Sequence, residues 1–460
     1  MDLSTSNLIV TIPSDFPSDR FYVLPFYDVL VEWHDLSAAN VNTFSFSYGN
    51  NFVNLGTAGS SNASGQYLVS YRTADPGYSK GDGSYAGYIY SPTPYGAIDL
   101  RIQTNGVDDV PKVNNLQTQF TLDTVLNPVQ LAPRLTKSLL FYGFSTNVTE
   151  KLLQLTARLS PFNLPEVGYD IARVTSLLRL AGLSGGTYTT PAGVDLELAA
   201  AEAAKNIYSV RHDQFSKYFV EPDSNWSYLR PRYSGNFRAN YIVRAFVAVQ
   251  GYLQLRTNQA IYPFYNVSTS LDASQSYNIT FSGKPPVNGF WSLTVYNDTA
   301  YLIDNPWNIY SLGDRSCIKY SDNSLVYPEG CVEGSASKSL ASDGQFTILL
   351  QSQDYSPPEE YCSKWARLFL FVYPNLWYST AAGSRRLRWK DRTNDLILTV
   401  SEDWKTCVPL LFLIPCCLVR WYGPTEELQK SVSEGGYVYP TVTALPAVVT
   451  GDSTCPLPSS

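Results

Sequence analysis

The chain has 460 residues, a formal net charge of −7 and a pI near 5.0, and it is long enough for two or three domains with large cores. The acidic balance argues against nucleic acid as a partner, since dense basic character is confined to one short segment described below. Charged residues make up 16% of the chain, against about 25% in average soluble domains. With 34 Tyr and 9 Trp, this composition is typical of β-rich proteins, with either a tyrosine-rich core or an aromatic, sugar-binding surface.

Residues 1–133 are predicted to form an N-terminal β domain, because short alternating runs rich in Tyr, Val and Phe are separated by Gly and Asn. Arg20–Leu30 is one of these strands. Pro25 lies inside it, and a proline has no N–H to donate to a neighbouring strand. We therefore expect an edge strand or a bulge at this position.

Residues 134–265 change to a helical periodicity and are predicted to connect two β domains. Asn147 is a candidate N-cap with Glu150 three residues later, which is the spacing of a capping box. A second helix is predicted from Pro165, with an apolar stripe from Val167 to Leu178. The other two predicted helices cover 195–218 and 238–255, and the last is apolar on most sides and so expected to be buried between layers.

Residues 266–445 are predicted to form a C-terminal β domain, followed by a tail at 446–460. Its most informative stretch begins at Pro285–Pro286 and then alternates, with Trp291, Leu293 and Val295 on one face of a half-buried strand.

One segment near the C-terminus differs in composition from the rest of the chain. Residues of about 366–406 include the basic run Arg385–Lys390. The apolar run Cys407–Val419 follows. It is shorter than the roughly 20 residues that a membrane helix needs, so we predict either a buried strand or an artefact of the sequence, and no membrane span.

The cysteines lack the spacing of a zinc or redox site but would allow a disulfide in an oxidising compartment. All seven follow residue 316, and none has C-x-x-C spacing. Cys317 and Cys331 flank a plausible hairpin and are a candidate disulfide. Six N-x-[ST] sequons are compatible with secretion and glycosylation.

The histidines and glycine motifs exclude several kinds of site. Only His34 and His212 are present, which excludes a multi-histidine metal centre, and we predict neither a metal nor a cofactor. His212 is expected on the solvated surface, whereas His34 is a weak site candidate. Residues 182–186 satisfy G-x-S-x-G, but a predicted helix precedes the serine where a nucleophile elbow needs a strand. We therefore interpret these glycines as a helix terminus.

Residues 285–316 resemble the C-terminal module of a paired family known as domains of unknown function 1254 (N-terminal) and 1214 (C-terminal), of fungal type. The family's proline pair, F-W-S-L-T-x-Y string and N-R-Y-S-[IL]-G-D string are matched at Pro285–Pro286, Phe290–Tyr296 and Asn308–Asp314. Ile309 stands where the family usually carries arginine. The N-terminal module is matched by Arg20–Leu30, Asn50–Gly56 and Ser91–Gln117. Residues 344–353 and 418–424 resemble later strands of the C-terminal module, which the family joins within a few residues. The resemblance therefore implies two further strands, and we interpret residues of about 366–406 between them as translated intron or a mispredicted exon.

The resemblance also implies a missing beginning. Asp2–Ser4 and Ile12–Pro13 match an interior point of the N-terminal module. We therefore expect Met1 to be a truncated start, or the first part of the domain to have been lost. No signal peptide opens the chain, and we expect it to have been lost with that part, which leaves an extracellular or secretory-pathway location as the prediction.

The expected fold is mainly β with a helical connector, comprising two antiparallel β-sandwich or jelly-roll domains. The family's likeness to peptide:N-glycanases implies a glycan-directed hydrolase, which is an analogy of fold. A non-catalytic protein that binds carbohydrate or another ligand is an alternative, and so is an accessory enzyme of small-molecule metabolism with a pocket between its domains. No oligomeric state is predicted.

Two carboxylates with one raised pKa would suffice for glycoside-type acid and base chemistry. The candidate catalytic residues, taken from family-matching positions, are Asp28, Asp109 and Asp314. The candidate substrate-binding residues are Tyr27, Arg101, Trp291, Tyr296, Tyr310 and Arg315. The alternative for the Asp and Arg residues is a role in turns and ion pairs.

Overall fold

The computed structural model describes residues 1–29, 48–127, 129–221, 224–251, 253–265, 271–272, 274–296, 302–303, 310–322, 324–328, 344–351, 365–367, 416–434 and 436–446. They form a mainly β structure with helices between two β-rich regions, as the sequence predicts. The candidate His34, Cys331 and nearly all of the interpreted insertion lie outside these residues. Among the helices described, none combines the length and apolar character that crossing a membrane requires.

The N-terminal β region is a sandwich of two sheets. Its strands are β1 Ser6–Ile12, β2 Tyr22–Val29, β3 Tyr48–Gly56, β4 Gly65–Tyr71, β5 Gly77–Lys80, β6 Gly87–Ser91, β7 Gly96–Ile98, β8 Arg101–Ile102 and β9 Thr121–Leu126. One sheet has the order β5-β6-β4-β1-β9, and β2 pairs with β3, β7 and β8 in the other. The period-two pattern of β1 directs Val10 and Ile12 into the shared core.

Pro25 lies in a central strand rather than at an edge. On one side, β2 pairs with β8 up to Val23 and with β7 from Phe26, so neither strand pairs with Pro25. On the other side, the register with β3 shifts directly after Phe26. Pro25 thus lies where one side of the strand is unpaired and next to a register shift on the other side, so its missing N–H is tolerated. This position agrees with the expected bulge, whereas the expectation of an edge strand was wrong.

The helices are α1 Val110–Gln117, α2 Lys137–Phe141, α3 Val148–Leu159, α4 Ile171–Leu180, α5 Leu196–Ser209, α6 Phe215–Tyr218, α7 Tyr241–Gly251 and α8 Glu426–Glu434. The predicted N-cap is confirmed, because the Asn147 side chain accepts the Glu150 amide at 3.0 Å. The predicted bounds of the other three connector helices were too wide. A 3-10 turn over Gly168–Asp170 precedes α4, which therefore begins only at Ile171. The chain turns between α5 and α6, where His212 is exposed. Arg238 adopts a left-handed φ of 49°, so α7 begins after it, at Tyr241.

The G-x-S-x-G stretch follows a helix, as predicted. Helix α4 ends at Leu180, and Gly182 has a φ of +88°. The chain then forms a small hairpin of β10 Leu183–Ser184 and β11 Thr187–Tyr188. Gly185 and Gly186 both have positive φ at its turn, a conformation that favours glycine. This geometry differs from the strand–turn–helix of a nucleophile elbow.

The C-terminal β region is a second two-sheet arrangement. Its strands are β12 Phe219–Val220, β13 Trp226–Leu229, β14 Ala260–Ile261, β15 Phe264–Tyr265, β16 Gln275–Phe281, β17 Trp291–Tyr296, β18 Leu312–Gly313, β19 Phe346–Gln351, β20 Trp365–Arg367, β21 Cys416–Tyr422 and β22 Thr441–Pro446. One sheet has the order β12-β13-β15-β21-β17-β18, with β14 also on β21, and the other has the order β20-β19-β16-β22.

Strand β17 confirms the alternation read from the sequence. Trp291, Leu293 and Val295 are all buried in the C-terminal core, where Trp226 and Trp421 are also fully buried. Strand β17 pairs with β21 along the whole length of β17. In β21, Cys417 and Val419 are inaccessible to solvent, so the described end of the apolar run is a buried strand, the first of the two predicted alternatives.

Candidate functional site

A pocket of about 450 Å³ lies where the two β regions and helix α7 meet. We call it the interdomain pocket. The N-terminal region contributes Arg101, and the connector contributes Arg211 and part of α7. The remaining wall is formed by strands of the C-terminal sheet and by loops that adjoin them. Its volume falls within the range of roughly 300–1,000 Å³ that is usual for small-molecule sites. The lining residues that matter for its chemistry are Arg101, Arg211, Tyr262, Tyr296, Arg420 and Tyr422.

Strand β21 forms one wall of the interdomain pocket. Successive side chains of a strand point to opposite faces. Leu418, Arg420 and Tyr422 therefore line the pocket, whereas Val419 and Trp421 enter the C-terminal core. The same alternation that builds the core thus presents an arginine to the cavity.

Arg420 is bound to hydroxyl groups and not to a carboxylate. Its Nη1 donates to Thr294 Oγ1 at 2.7 Å, and its Nη2 donates to the Tyr296 hydroxyl. Both partners lie on the neighbouring strand β17. Arg420 forms no ion pair with any residue that the structure describes, so no described carboxylate neutralises its positive charge.

The other two arginines of the pocket differ in charge balance. Arg211 lies over the Phe264 ring at 5.0 Å and has no ion-pair partner among the described residues. Arg101 is paired, since its Nε donates to Asp99 Oδ2 at 2.7 Å and its Nη2 to the Leu253 carbonyl at 3.2 Å. Neither Asp nor Glu occurs among the described residues that line the pocket. The described lining of the pocket therefore carries a net positive charge.

Tyrosines line the end of the pocket near Arg101. The rings of Tyr262 and Tyr422 meet edge to face at 6.3 Å. The Tyr27 hydroxyl donates to the Leu253 carbonyl at 2.8 Å and lies 3.4 Å from Arg101 Nη2. Burial raises the pKa of Tyr262 well above that of an ordinary phenol. Tyr262 is therefore a neutral group at physiological pH.

A second cluster of charged side chains joins the N-terminal region to helix α7. Asp28 is 2% exposed, and it accepts hydrogen bonds from Arg244 Nη2 at 2.8 Å and from the Asn50 backbone N–H at 2.6 Å. Burial raises the pKa of Asp28, although the Arg244 guanidinium opposes the shift. Asn50 Nδ2 donates to Asp28 at 3.0 Å and to Glu166 at 3.3 Å. Two carboxylates thus converge on one amide nitrogen.

The other two candidate catalytic carboxylates lie elsewhere, each beside its own arginine. Asp109 accepts two hydrogen bonds from Arg20, at 2.5 and 3.0 Å, and these lower the pKa of its carboxyl. Asp314 accepts from Arg315 Nη1 at 3.0 Å, and Arg315 Nε reaches Asn105 at 3.0 Å. Asn105 links the two pairs, because its backbone N–H donates to Asp109 at 2.9 Å and its side-chain oxygen accepts from Arg315. Asp28 lies in the separate charged cluster, and the catalytic role of all three carboxylates stays a prediction.

The candidate substrate-binding residues are also dispersed. Arg101 and Tyr296 line the interdomain pocket, and Tyr27 contacts Arg101. Trp291 is instead 1% exposed in the C-terminal core, where its Nε1 donates to the Tyr327 hydroxyl at 2.8 Å. Tyr310 is half-buried.

Cys317 is disulfide-bonded, but Cys331 lies outside the described residues, so their pairing stays a prediction. Among the residues that the structure describes, no cluster of three or more His, Cys, Asp or Glu could hold a metal ion. The residues that sequence reasoning missed are Arg211, Tyr262, Arg420 and Tyr422 in the pocket, and Arg244 and Glu166 in the charged cluster.

Comparisons with known proteins agree with this architecture. A family model for a protein of unknown function, DUF1254, matches residues 1–124, and a model for DUF1214 matches residues 260–366, together half of the chain. A crystal structure of a protein from Vibrio parahaemolyticus has a TM-score of 0.52 at 14% sequence identity, over 97% of this chain and 87% of that chain. This likeness concerns the fold alone.

A crystal structure of a putative uncharacterized protein from Burkholderia cenocepacia has a TM-score of 0.33 at 11% identity, over 97% of this chain and 74% of that chain. No curated protein matches the chain.

Proposed function

Since this chain belongs to the paired DUF1254/DUF1214 family, whose description names no reaction, we propose from its geometry that it binds a small organic anion in the interdomain pocket. One observation carries the proposal. Arg211 and Arg420 line a cavity without a carboxylate partner among the described residues, and no described residue of the lining is acidic.

The chemistry of these groups favours an anionic oxygen as the ligand atom. A guanidinium group is always charged and donates several N–H bonds in a fixed plane, which suits carboxylate and phosphate groups. Hydrogen bonds between ionised partners are roughly twice as strong as neutral ones. Arg420 is held in place by Thr294 and Tyr296. It is therefore oriented before a ligand arrives, which lowers the entropic cost of binding.

The test is isothermal titration calorimetry of the purified chain with acetate, 3-phenylpropionate and inorganic phosphate. We expect at least one of these anions to bind saturably, and Arg420→Gln to weaken that binding by at least about tenfold, or about 1.4 kcal/mol. Arg179→Gln is the matched control, because Arg179 is an exposed arginine near the end of α4. The proposal is wrong if no anion binds, or if Arg420→Gln binds as tightly as the control.

A glycan-directed hydrolase is the second candidate. What supports it is the convergence of Asp28, with its raised pKa, and Glu166 on the Asn50 amide, because such a pair can supply an acid and a base. Glycan release from a glycopeptide should then disappear in Asp28→Asn and in Glu166→Gln while both variants remain folded by circular dichroism. Release that persists in either variant, or is absent from the unmodified protein, removes this candidate. An accessory enzyme of small-molecule metabolism would instead use the interdomain pocket.

We also propose a location in the secretory pathway. The disulfide at Cys317 supports it, and the sequon residues Asn62, Asn147 and Asn225 are exposed, as acceptors must be. Protein isolated from its source should lose mass on treatment with an endoglycosidase if the proposal holds.

A further inference from the structure

Resting on the proposed function, we infer that the ligand is an aryl monoacid, whose single acidic group binds Arg420 and Tyr296 and whose planar apolar part packs against Tyr262 and Tyr422. The inference follows from the unequal ends of the interdomain pocket. One end holds the positive charges of Arg211 and Arg420, for which the described residues offer no carboxylate, and the other end is aromatic with its arginine already paired.

The order of groups along β21 separates the two ends. Leu418 lies opposite Phe264, over whose ring Arg211 lies, whereas Tyr422 lies opposite Ala260 and contacts Tyr262. Arg420 is between them. Two residues of a strand span about 7 Å, so the centre of positive charge and the aromatic end are separated by a short distance. A ring joined to an acid by a spacer of two carbons can reach both.

The charges that surround the pocket favour a ligand with one acidic group over a ligand with two. At the aromatic end, Asp99 already accepts from Arg101 at 2.7 Å, and the other hydrogen-bond partners of that guanidinium among the described residues are the Leu253 carbonyl and the Tyr27 hydroxyl. A second carboxylate at this end would lose its hydration and meet Asp99 as well as Arg101. Burying such a charge without a free partner is costly.

Tyr296 supplies a hydrogen-bond donor at the positively charged end of the pocket, where the acidic group of the ligand would bind. Arg420 can only donate, so the Tyr296 oxygen accepts from it. In the described part of the chain, the Tyr296 hydroxyl donates to no other group that the structure shows. Its proton is therefore available to an acid oxygen held by Arg420, which makes Tyr296 a positioning partner of Arg420 and a ligand contact.

The aromatic end is built to hold a planar group. Phe290 stacks on Tyr422 at 4.3 Å with an angle of 17° between the rings, which fixes the orientation of Tyr422. Tyr262 meets it nearly at a right angle, at 87°. An apolar ring in this corner can contact one tyrosine face and one tyrosine edge, and aromatic pairs of this kind contribute about 0.5–1.5 kcal/mol beyond the area that they bury.

The experiment is calorimetric titration of the full chain with four probes: 3-phenylpropionate, acetate, glutarate and 3-phenylpropanol. We expect 3-phenylpropionate to bind at least about tenfold more tightly than each of the other three. Tyr422→Leu should remove most of that advantage and leave acetate binding unchanged, whereas Tyr422→Phe should retain it. Tyr296→Phe should weaken the binding of both acids and leave the binding of the alcohol unchanged.

Different results would contradict the proposed anion binding and the inference of an aryl monoacid. If acetate or glutarate binds as tightly as 3-phenylpropionate, the aryl monoacid is wrong while the anion pocket stands. If Tyr422→Leu and Tyr422→Phe behave alike, the aromatic end has no role in recognition and the inference is again wrong. If no acid binds, the proposed function itself fails and the inference with it.

Discussion

Arg244 is buried and Arg420 is half-buried, and the two guanidinium groups have different hydrogen-bond partners. Arg244 is 8% exposed and lies 2.8 Å from the buried Asp28 carboxylate, which joins the N-terminal sandwich to α7. Arg420 is half-buried at the pocket wall and contacts two hydroxyl groups. A buried charge needs a compensating partner. The difference indicates that Arg244 maintains the structure, whereas Arg420 is available to a ligand.

The largest expected effect comes from breaking the structural pair. Arg244→Met leaves Asp28 buried without its counter-charge, and we expect the free energy of unfolding to fall by roughly 3–5 kcal/mol. Urea denaturation followed by tryptophan fluorescence measures it. The double variant Arg244→Met with Asp28→Leu should recover much of the loss, because no charge is then left unpaired. A loss below about 1 kcal/mol in the single variant would contradict the structural role.

The second-largest effect on stability is expected from the ion pair of Asp109 and Arg20. Asp109→Asn weakens two charge-assisted hydrogen bonds, and we expect a loss of roughly 1–2 kcal/mol at neutral pH. Because Arg20 lowers the pKa of Asp109, this stabilisation is present above the ordinary carboxyl pKa of about 3.9. It is lost as the pH falls through the lowered pKa. Unfolding of both proteins between pH 2.5 and pH 7 should therefore show their difference shrinking in acid.

Asp28 should show the opposite dependence on pH. Its pKa is raised by burial, so the folded chain binds this proton more tightly than the unfolded chain does. The contribution of Asp28 to stability is greatest below about pH 3.9 and declines as the pH rises through the raised pKa. Asp28→Asn should remove this part of the stability profile. An unchanged slope above pH 3.9 in the variant would show that the pKa of Asp28 is not raised.

The smallest effect on stability is expected from substitution of Arg420 in the interdomain pocket. Arg420→Met removes a charge without leaving a carboxylate unpaired, so we expect the free energy of unfolding to change by no more than about 1 kcal/mol. The same variant should lose anion binding in the titration described above. A loss of stability comparable to that of Arg244→Met would remove the distinction between the two arginines.

Local features were predictable from the sequence where the signal lies within a few residues. The alternation of Trp291, Leu293 and Val295 predicted a strand, and the spacing of Asn147 and Glu150 predicted a helix N-terminus. Helix bounds were less accurate, because Arg238 adopts its left-handed backbone in a tertiary setting that no local pattern reports.

The candidate site was predictable only in part. Family-matching positions named Arg101 and Tyr296, which line the pocket, and Asp28, which lies in the charged cluster. Arg420 was inside the strand predicted at 418–424, but nothing in its neighbourhood distinguished it from a surface arginine. Trp291 matched the family equally well and proved to be a core residue, because a motif records sequence similarity without separating packing from binding.

The sequence by itself determined the family, the two β-rich ends with helices between them, and the faces of the strands, because periodicity and motif act over short distances. Only the tertiary structure decided which charges are neutralised. Asp28 and Arg244 are 216 residues apart in the chain, and the arginines of the interdomain pocket come from three separate regions. Pairing depends on distances of a few ångströms in space, and those distances exist only after the sheets and helix α7 have packed together.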